Sequence, residues 1–170
     1  MLPKFTSIYL IKFKNFRTKT NRTAMKVIFL DIDGVVSPFL QTKFEASKMK
    51  LIKDIITKTN ANVVLSSNWR LTKRTRIAAT NEFEKYSIVL FACTNYNRNL
   101  MNTKAENRGI EIKQWIEASQ IKIESFVVID DLDVLKGDPH FFRGKVILTN
   151  GFIGITEEEA VVATKILNLK

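Results

Sequence analysis

The sequence predicts an α/β fold in three layers, a parallel sheet with helices on both faces and no cap domain. Apolar runs at residues 27–30, 62–65 and 126–129 are too apolar for solvated edge strands and read as buried central strands. Segments of helical character alternate with them, the pattern of helices crossing over a parallel sheet. A chain of 170 residues with 45% hydrophobic content is sufficient for one domain with a sizeable core.

In chain order, the first strand spans 26–31 and runs into Asp31-Ile32-Asp33-Gly34. Alternation puts Asp31 and Asp33 on the same side of the chain as it leaves the sheet, and Gly34 lets the backbone turn sharply. The end of a strand in an open α/β sheet is where such folds keep their ligands. Two unpaired carboxylates about 4 Å apart repel by about 4 kcal/mol at an effective dielectric of 20. An Asp-Gly turn needs only one of them, so a pair of mere turn formers leaves the second unexplained. A cation between them accounts for both.

A helix over 43–59 follows, then a strand over 62–66 that leads into Ser66-Ser67-Asn68-Trp69-Arg70. Hydroxyls and free backbone N–H groups at a helix start suit phosphate oxygens. Ser66 or Ser67 is equally a cap for the helix predicted over 69–85, and the two roles are compatible. Arg70 is a candidate either for holding a substrate phosphate or for pairing with a carboxylate. Trp69 reads as a core or docking residue.

A strand over 87–91 precedes a helix over 107–118, with Lys104 and Arg108 at its entrance. Arg108 is the favoured cation, against the alternative of a solvated surface residue. A fixed positive charge there would hold a nucleophilic carboxylate and a phosphate together while charge shifts in the transition state. The strand over 126–130 ends in Asp130-Asp131 and repeats the geometry of the first. If the two strands are parallel neighbours, three or four carboxylates converge at one sheet edge and offer Mg²⁺ its hard oxygen ligands. A strand over 145–148 and a helix over 157–168 complete the series. Thr156 followed by Glu157, Glu158 and Glu159 marks that helix start, a capping box with a favourable dipole.

DIDGV, then LSSNWR, then a basic residue, then VVIDD resembles in order the haloacid dehalogenase (HAD) superfamily of phosphohydrolases, over most of residues 25–156. With NRGIEIKQWIE included, the set is most similar to the HAD-type domain of "Swiss Army Knife" RNA repair proteins. The resemblance implies a Rossmann-like fold in which Asp31 attacks phosphorus and becomes an aspartyl-phosphate. Asp33 would protonate the leaving group and then activate water, and Mg²⁺ would be held by Asp31, the backbone carbonyl of Asp33, Asp130 and Asp131. Ser66, with Ser67 beside it, would hold the phosphoryl oxygens. Arg108, 22 residues before Asp130, would take the place of the family's basic third motif, which is often Lys. The segment 146–156 resembles the family's closing loop, with Asn150 where an acid is expected.

Superfamily members often insert a cap after the first motif or after the second-motif helix, and neither place has room here. Only about ten residues separate Asp33 from the next predicted helix. A site without a lid is open and favours a phosphate presented by a larger molecule, while leaving small substrates possible.

Net charge of +10 and a pI near 9.8 favour a polyanion such as RNA or DNA as partner. Lys4, Lys12, Lys14, Arg17, Lys19 and Arg22 lie in residues 1–24, which contain no acid, so the remainder carries only about +4. The domain reading is a basic extension over 1–24 and a HAD-like domain over 25–170. One reading of the extension takes Met25 as the true start. A second takes the aromatics and bases of 12–17 as a single-strand binder, and a third takes the segment as an organellar leader. It does not read as a secretory signal, and no segment is long enough to span a membrane.

Cys93 is the only cysteine, which excludes a disulfide framework and a zinc site and leaves a buried structural thiol. His140, the only histidine, excludes His-based triads and leaves acid/base duty to carboxylates. It reads as part of a loop near the site rim. The expectation is a cytoplasmic, Mg²⁺-dependent phosphohydrolase acting on nucleic-acid ends. The alternatives are a phosphatase of small nucleotides or sugar phosphates and a non-catalytic nucleic-acid-binding module.

Overall fold

The computed structural model describes residues 24–41, 43–97 and 100–169. The basic extension therefore lies outside the described residues, apart from Ala24. Five strands, β1 (Met25–Leu30), β2 (Asn62–Leu65), β3 (Leu90–Cys93), β4 (Ile123–Asp130) and β5 (Val146–Leu148), form one sheet in the order β3-β2-β1-β4-β5. Every pair is parallel. The helices are α1 (Ala46–Thr59), α2 (Lys73–Glu84), α3 (Lys104–Ala118), a single turn α4 (Pro139–Phe142) and α5 (Glu157–Asn168).

The period of two in β1 explains why both faces are covered. Ile28 and Leu30 point into a core shared with Val63, Leu65, Val127 and Ile129, closed by Met49, Ile52 and Ile55 of α1, Phe83 of α2 and Ala163 and Leu167 of α5. Val27 and Phe29 point the other way, toward Val64, Phe126 and Val128, under Ile112 and Trp115 of α3 and Phe142 of α4. Phe29 packs edge-on against Trp115 with centroids 5.4 Å apart. This is the three-layer, Rossmann-like α/β fold that the sequence predicts. Among the described residues no helix is long and apolar enough to cross a membrane.

Register sets up the site. Leu30 stands opposite Leu65 on one side and Ile129 on the other, so the three central strands end level. The backbone N–H of Asp31 donates to the Ile129 carbonyl at 3.0 Å, and that of Ser66 donates to the Leu30 carbonyl at 3.0 Å. Asp31, Ser66 and Asp130 thus emerge at one sheet edge.

Several elements differ from expectation, among them α1, which begins at Ala46 rather than 43, and β4, which begins at Ile123 rather than 126. The helix predicted over 69–85 is broken into a 3₁₀ turn, Asn68–Arg70, and α2, because the Thr72 hydroxyl accepts from the Thr75 amide and opens a new helix. The strand predicted over 87–91 is displaced to Leu90–Cys93, since Ser87 sits at φ 53° and Ile88 still donates to Phe83 as the preceding helix closes. The helix predicted from 107 begins at Lys104 behind a reciprocal Thr103–Glu106 capping box. The stretch expected as a loop near the site rim holds α4, and the structure moves His140 away from the site. The neighbouring Phe141 stacks on Phe126, four residues before Asp130 along β4, with centroids 5.5 Å apart.

Candidate active site

Asp31 follows the last residue of β1 and is buried, whereas Asp33, two residues on, is exposed. Between strand and turn, Val35, Val36 and Ser37 return hydrogen bonds to the Ile32 carbonyl, winding the chain tightly after the strand. Gly34 takes φ 77°, a conformation that a side chain resists, and a Cβ there would lie 2.8 Å from the Asp131 carboxyl carbon. The bare backbone at 34 is what lets the β1 turn lie against Asp131.

Asp130 is the last residue of β4, fully buried, and Asp131 follows it half-buried. One carboxylate oxygen from each of Asp31, Asp130 and Asp131 lies within 4.8 Å of the others. Arg108, buried on α3, reaches the same cluster. Its Nη1 donates to Asp130 at 2.7 Å and lies 3.2 Å from an oxygen of Asp31. Lys104, the other candidate cation, is exposed at the start of α3.

The electrostatics follow from burial and crowding. Burial and the neighbouring charge of Asp31 push the Asp130 carboxyl up to about 7, against the pull of Arg108. The same two causes push Asp131 up to about 6. Although the residue is exposed, partial desolvation of its carboxyl also raises Asp33, opposed by a hydrogen bond from Trp69. Burial works against the charge of Arg108, but Asp31 and Asp130 outweigh it and raise its pKa. Three carboxylates against one guanidinium leave the cluster short of positive charge, and a divalent cation would supply it. Small hard oxygen donors at the rim of a sheet suit Mg²⁺, which keeps several of its waters.

Ser66 and Ser67 are both fully buried beside Asp31. Ser67 accepts from the Trp69 amide at 3.4 Å as the cap of the 3₁₀ turn. The Ser66 hydroxyl, like the buried Thr94 hydroxyl, has no hydrogen-bond partner.

Two partnerships were not legible in the sequence, that of Trp69 with Asp33 and the choice of Glu111 as the carboxylate for Arg70. The Trp69 indole N–H donates to both carboxylate oxygens of Asp33, at 3.2 and 3.0 Å, so this half-buried ring orients a site carboxylate. Arg70, expected on either a phosphate or a carboxylate, is buried against the carboxylate of Glu111. It also donates to the carbonyls of Ser66, Ser67 at 2.8 Å and Thr94 at 3.1 Å. Glu111 in turn accepts from the Asn97 amide at 2.9 Å, so the pair fastens the loops after β2 and β3 to α3. These contacts join residues 36 and 41 positions apart, and local spacing carries no signal for them. Asn150 accepts from the Phe152 amide at 2.9 Å and shapes its own loop.

A family model described as the HAD domain in Swiss Army Knife RNA repair proteins matches residues 27–160. No curated protein matches the chain. No solved structure matches it either.

Proposed function

Because the chain belongs to the family of HAD domains in Swiss Army Knife RNA repair proteins, we propose that it is a Mg²⁺-dependent phosphohydrolase acting on terminal phosphates of nucleic acids. The observation that carries this reading is the convergence of Asp31, Asp130 and Asp131 within 4.8 Å, with Arg108 reaching two of them. The working unit is the domain from residue 25 to 170.

In this reading a carboxylate oxygen of Asp31 attacks phosphorus as the bond to the leaving oxygen breaks, giving an aspartyl-phosphate. Asp33, oriented by Trp69, gives its proton to the leaving oxygen. It then takes a proton from the water that attacks phosphorus, releasing inorganic phosphate and regenerating Asp31. Arg108 holds the Asp31 carboxylate in place from below. Ser66 donates its hydroxyl to a phosphoryl oxygen, and Ser67 shapes the loop that presents it. Asp31, Asp130, Asp131 and the Asp33 carbonyl would hold Mg²⁺, which shields the negative phosphate from the negative nucleophile.

The test is phosphate release from an aryl phosphate with and without Mg²⁺. Release that requires the metal, stops with chelator and falls by at least about 1,000-fold in Asp31→Asn is the expected outcome. Release unaffected by either change would overturn the reading.

A further inference from the structure

At the β4–β5 end of the same sheet edge, two loops carry large apolar side chains into solvent. Phe39 and Phe152 are 40% and 68% exposed, with Leu40 and Ile153 beside them in the chain and also exposed. The two rings meet edge-on with centroids 5.4 Å apart. Their loops are built to hold them there. Phe39 donates its amide to the Gly151 carbonyl at 2.7 Å, and the Ile153 and Gly154 amides both close on the Asn150 carbonyl. Gly151 gives Phe39 its place, because a Cβ at 151 would lie 2.3 Å from that ring.

The pair is also next to the carboxylates. A Cβ placed at Gly34 would meet both the Gly151 Cα at 3.1 Å and the Asp131 carboxyl carbon at 2.8 Å, so three close approaches, Phe39 to Gly151, Gly151 to Gly34 and Gly34 to Asp131, lead from the ring to the cluster. The Thr149 hydroxyl donates to the Gly34 carbonyl at 2.8 Å and ties the two loops together. An exposed aromatic pair on loops that adjoin the carboxylate cluster offers π-faces to a base, and stacking on such faces tolerates any sequence. At the β3 end of the edge, beyond the carboxylates, Tyr96 and Lys104 line a concavity with Arg108.

We infer that Phe39 and Phe152 form a stacking platform for the nucleobase adjoining the scissile phosphate, so that the site receives the phosphorylated end of a single strand. This rests on the phosphohydrolase reading above and names its substrate class.

The test is equilibrium binding on the full chain carrying Asp31→Asn, so that nothing turns over. The probes are a labelled, terminally phosphorylated oligoribonucleotide, the same strand with an abasic terminal residue, and the corresponding mononucleotide. The platform predicts that the abasic end binds about tenfold more weakly than the intact end, and that Phe152→Ala erases the difference while Phe152→Trp keeps it. It also predicts weaker binding of the mononucleotide than of the strand. Equal affinity for intact and abasic ends overturns the platform, as does a base-dependent difference that survives Phe152→Ala. A mononucleotide bound as tightly as the strand overturns the assignment to strand ends. Base-independent binding together with a dimer that Phe152→Ala dissolves would assign the face to a second copy of the chain instead. Hydrolysis of acetyl phosphate, which has no ring to stack, by the unaltered protein tests the underlying chemistry separately. If it fails while base-dependent binding holds, the phosphohydrolase reading falls and the platform stands.

Discussion

Ser66 carries a hydroxyl that is fully buried and bonded to nothing, beside Asp31. An unsatisfied buried polar atom is a burden to the resting fold, so removing it should leave stability unchanged or slightly raised. If the hydroxyl receives a phosphoryl oxygen, Ser66→Ala should melt at or above the unaltered temperature while phosphate release falls about 100-fold. A lower melting temperature with intact turnover would make Ser66 a packing residue. At this scale much of the cluster was legible. Asp31 and Asp130 each stand directly after an apolar run, with Asp33 and Asp131 within two residues of them, and a strand end is a local pattern. Trp69 and Glu111 were not, because their partners are set by the path of the loop after β2.

Among the elements, α3 carries most of the burden of holding the site. It supplies Arg108 to the carboxylates and Glu111 to Arg70. At its far end Lys113 donates at 2.7 Å to Asp138, whose other oxygen accepts from the Phe141 amide at 3.0 Å and caps α4. The hydrogen bonds from Lys113 and from the Phe141 amide hold the Asp138 carboxyl below the usual carboxylate range. Its contribution to stability is therefore complete above the unfolded value of about 4 and is lost as pH falls through the lower folded value. Asp138→Asn keeps a cap oxygen and removes the charge. Thermal melts should show the variant less stable at pH 7, with the difference closing as the solution is acidified below the folded value. A gap that stays constant with pH would exclude a charge effect. The element boundaries that sequence reasoning misplaced share a cause. Capping by Thr72 and Thr103 and the left-handed Ser87 decided where helices stop and start, and hydrophobic periodicity does not register them.

For the molecule as a whole, the alternation of strands and helices sufficed to predict the sheet, since each central strand is buried on both faces and its apolar run is unbroken. The order β3-β2-β1-β4-β5 then brings the ends of β1, β2 and β4 together, and the chemistry gathers where they end. The central claim is that Asp31 takes the phosphoryl group. Acetyl phosphate isolates that step, because its acetate leaves without needing a proton from Asp33. In Asp33→Asn the second step lacks its base, so with Mg²⁺ and acetyl phosphate the account predicts a protein heavier by one phosphoryl group, mapped to the peptide containing Asp31. The adduct should be absent when Asp31→Asn is added. A phosphoryl group on any other residue, or turnover that persists in Asp31→Asn, would contradict the account.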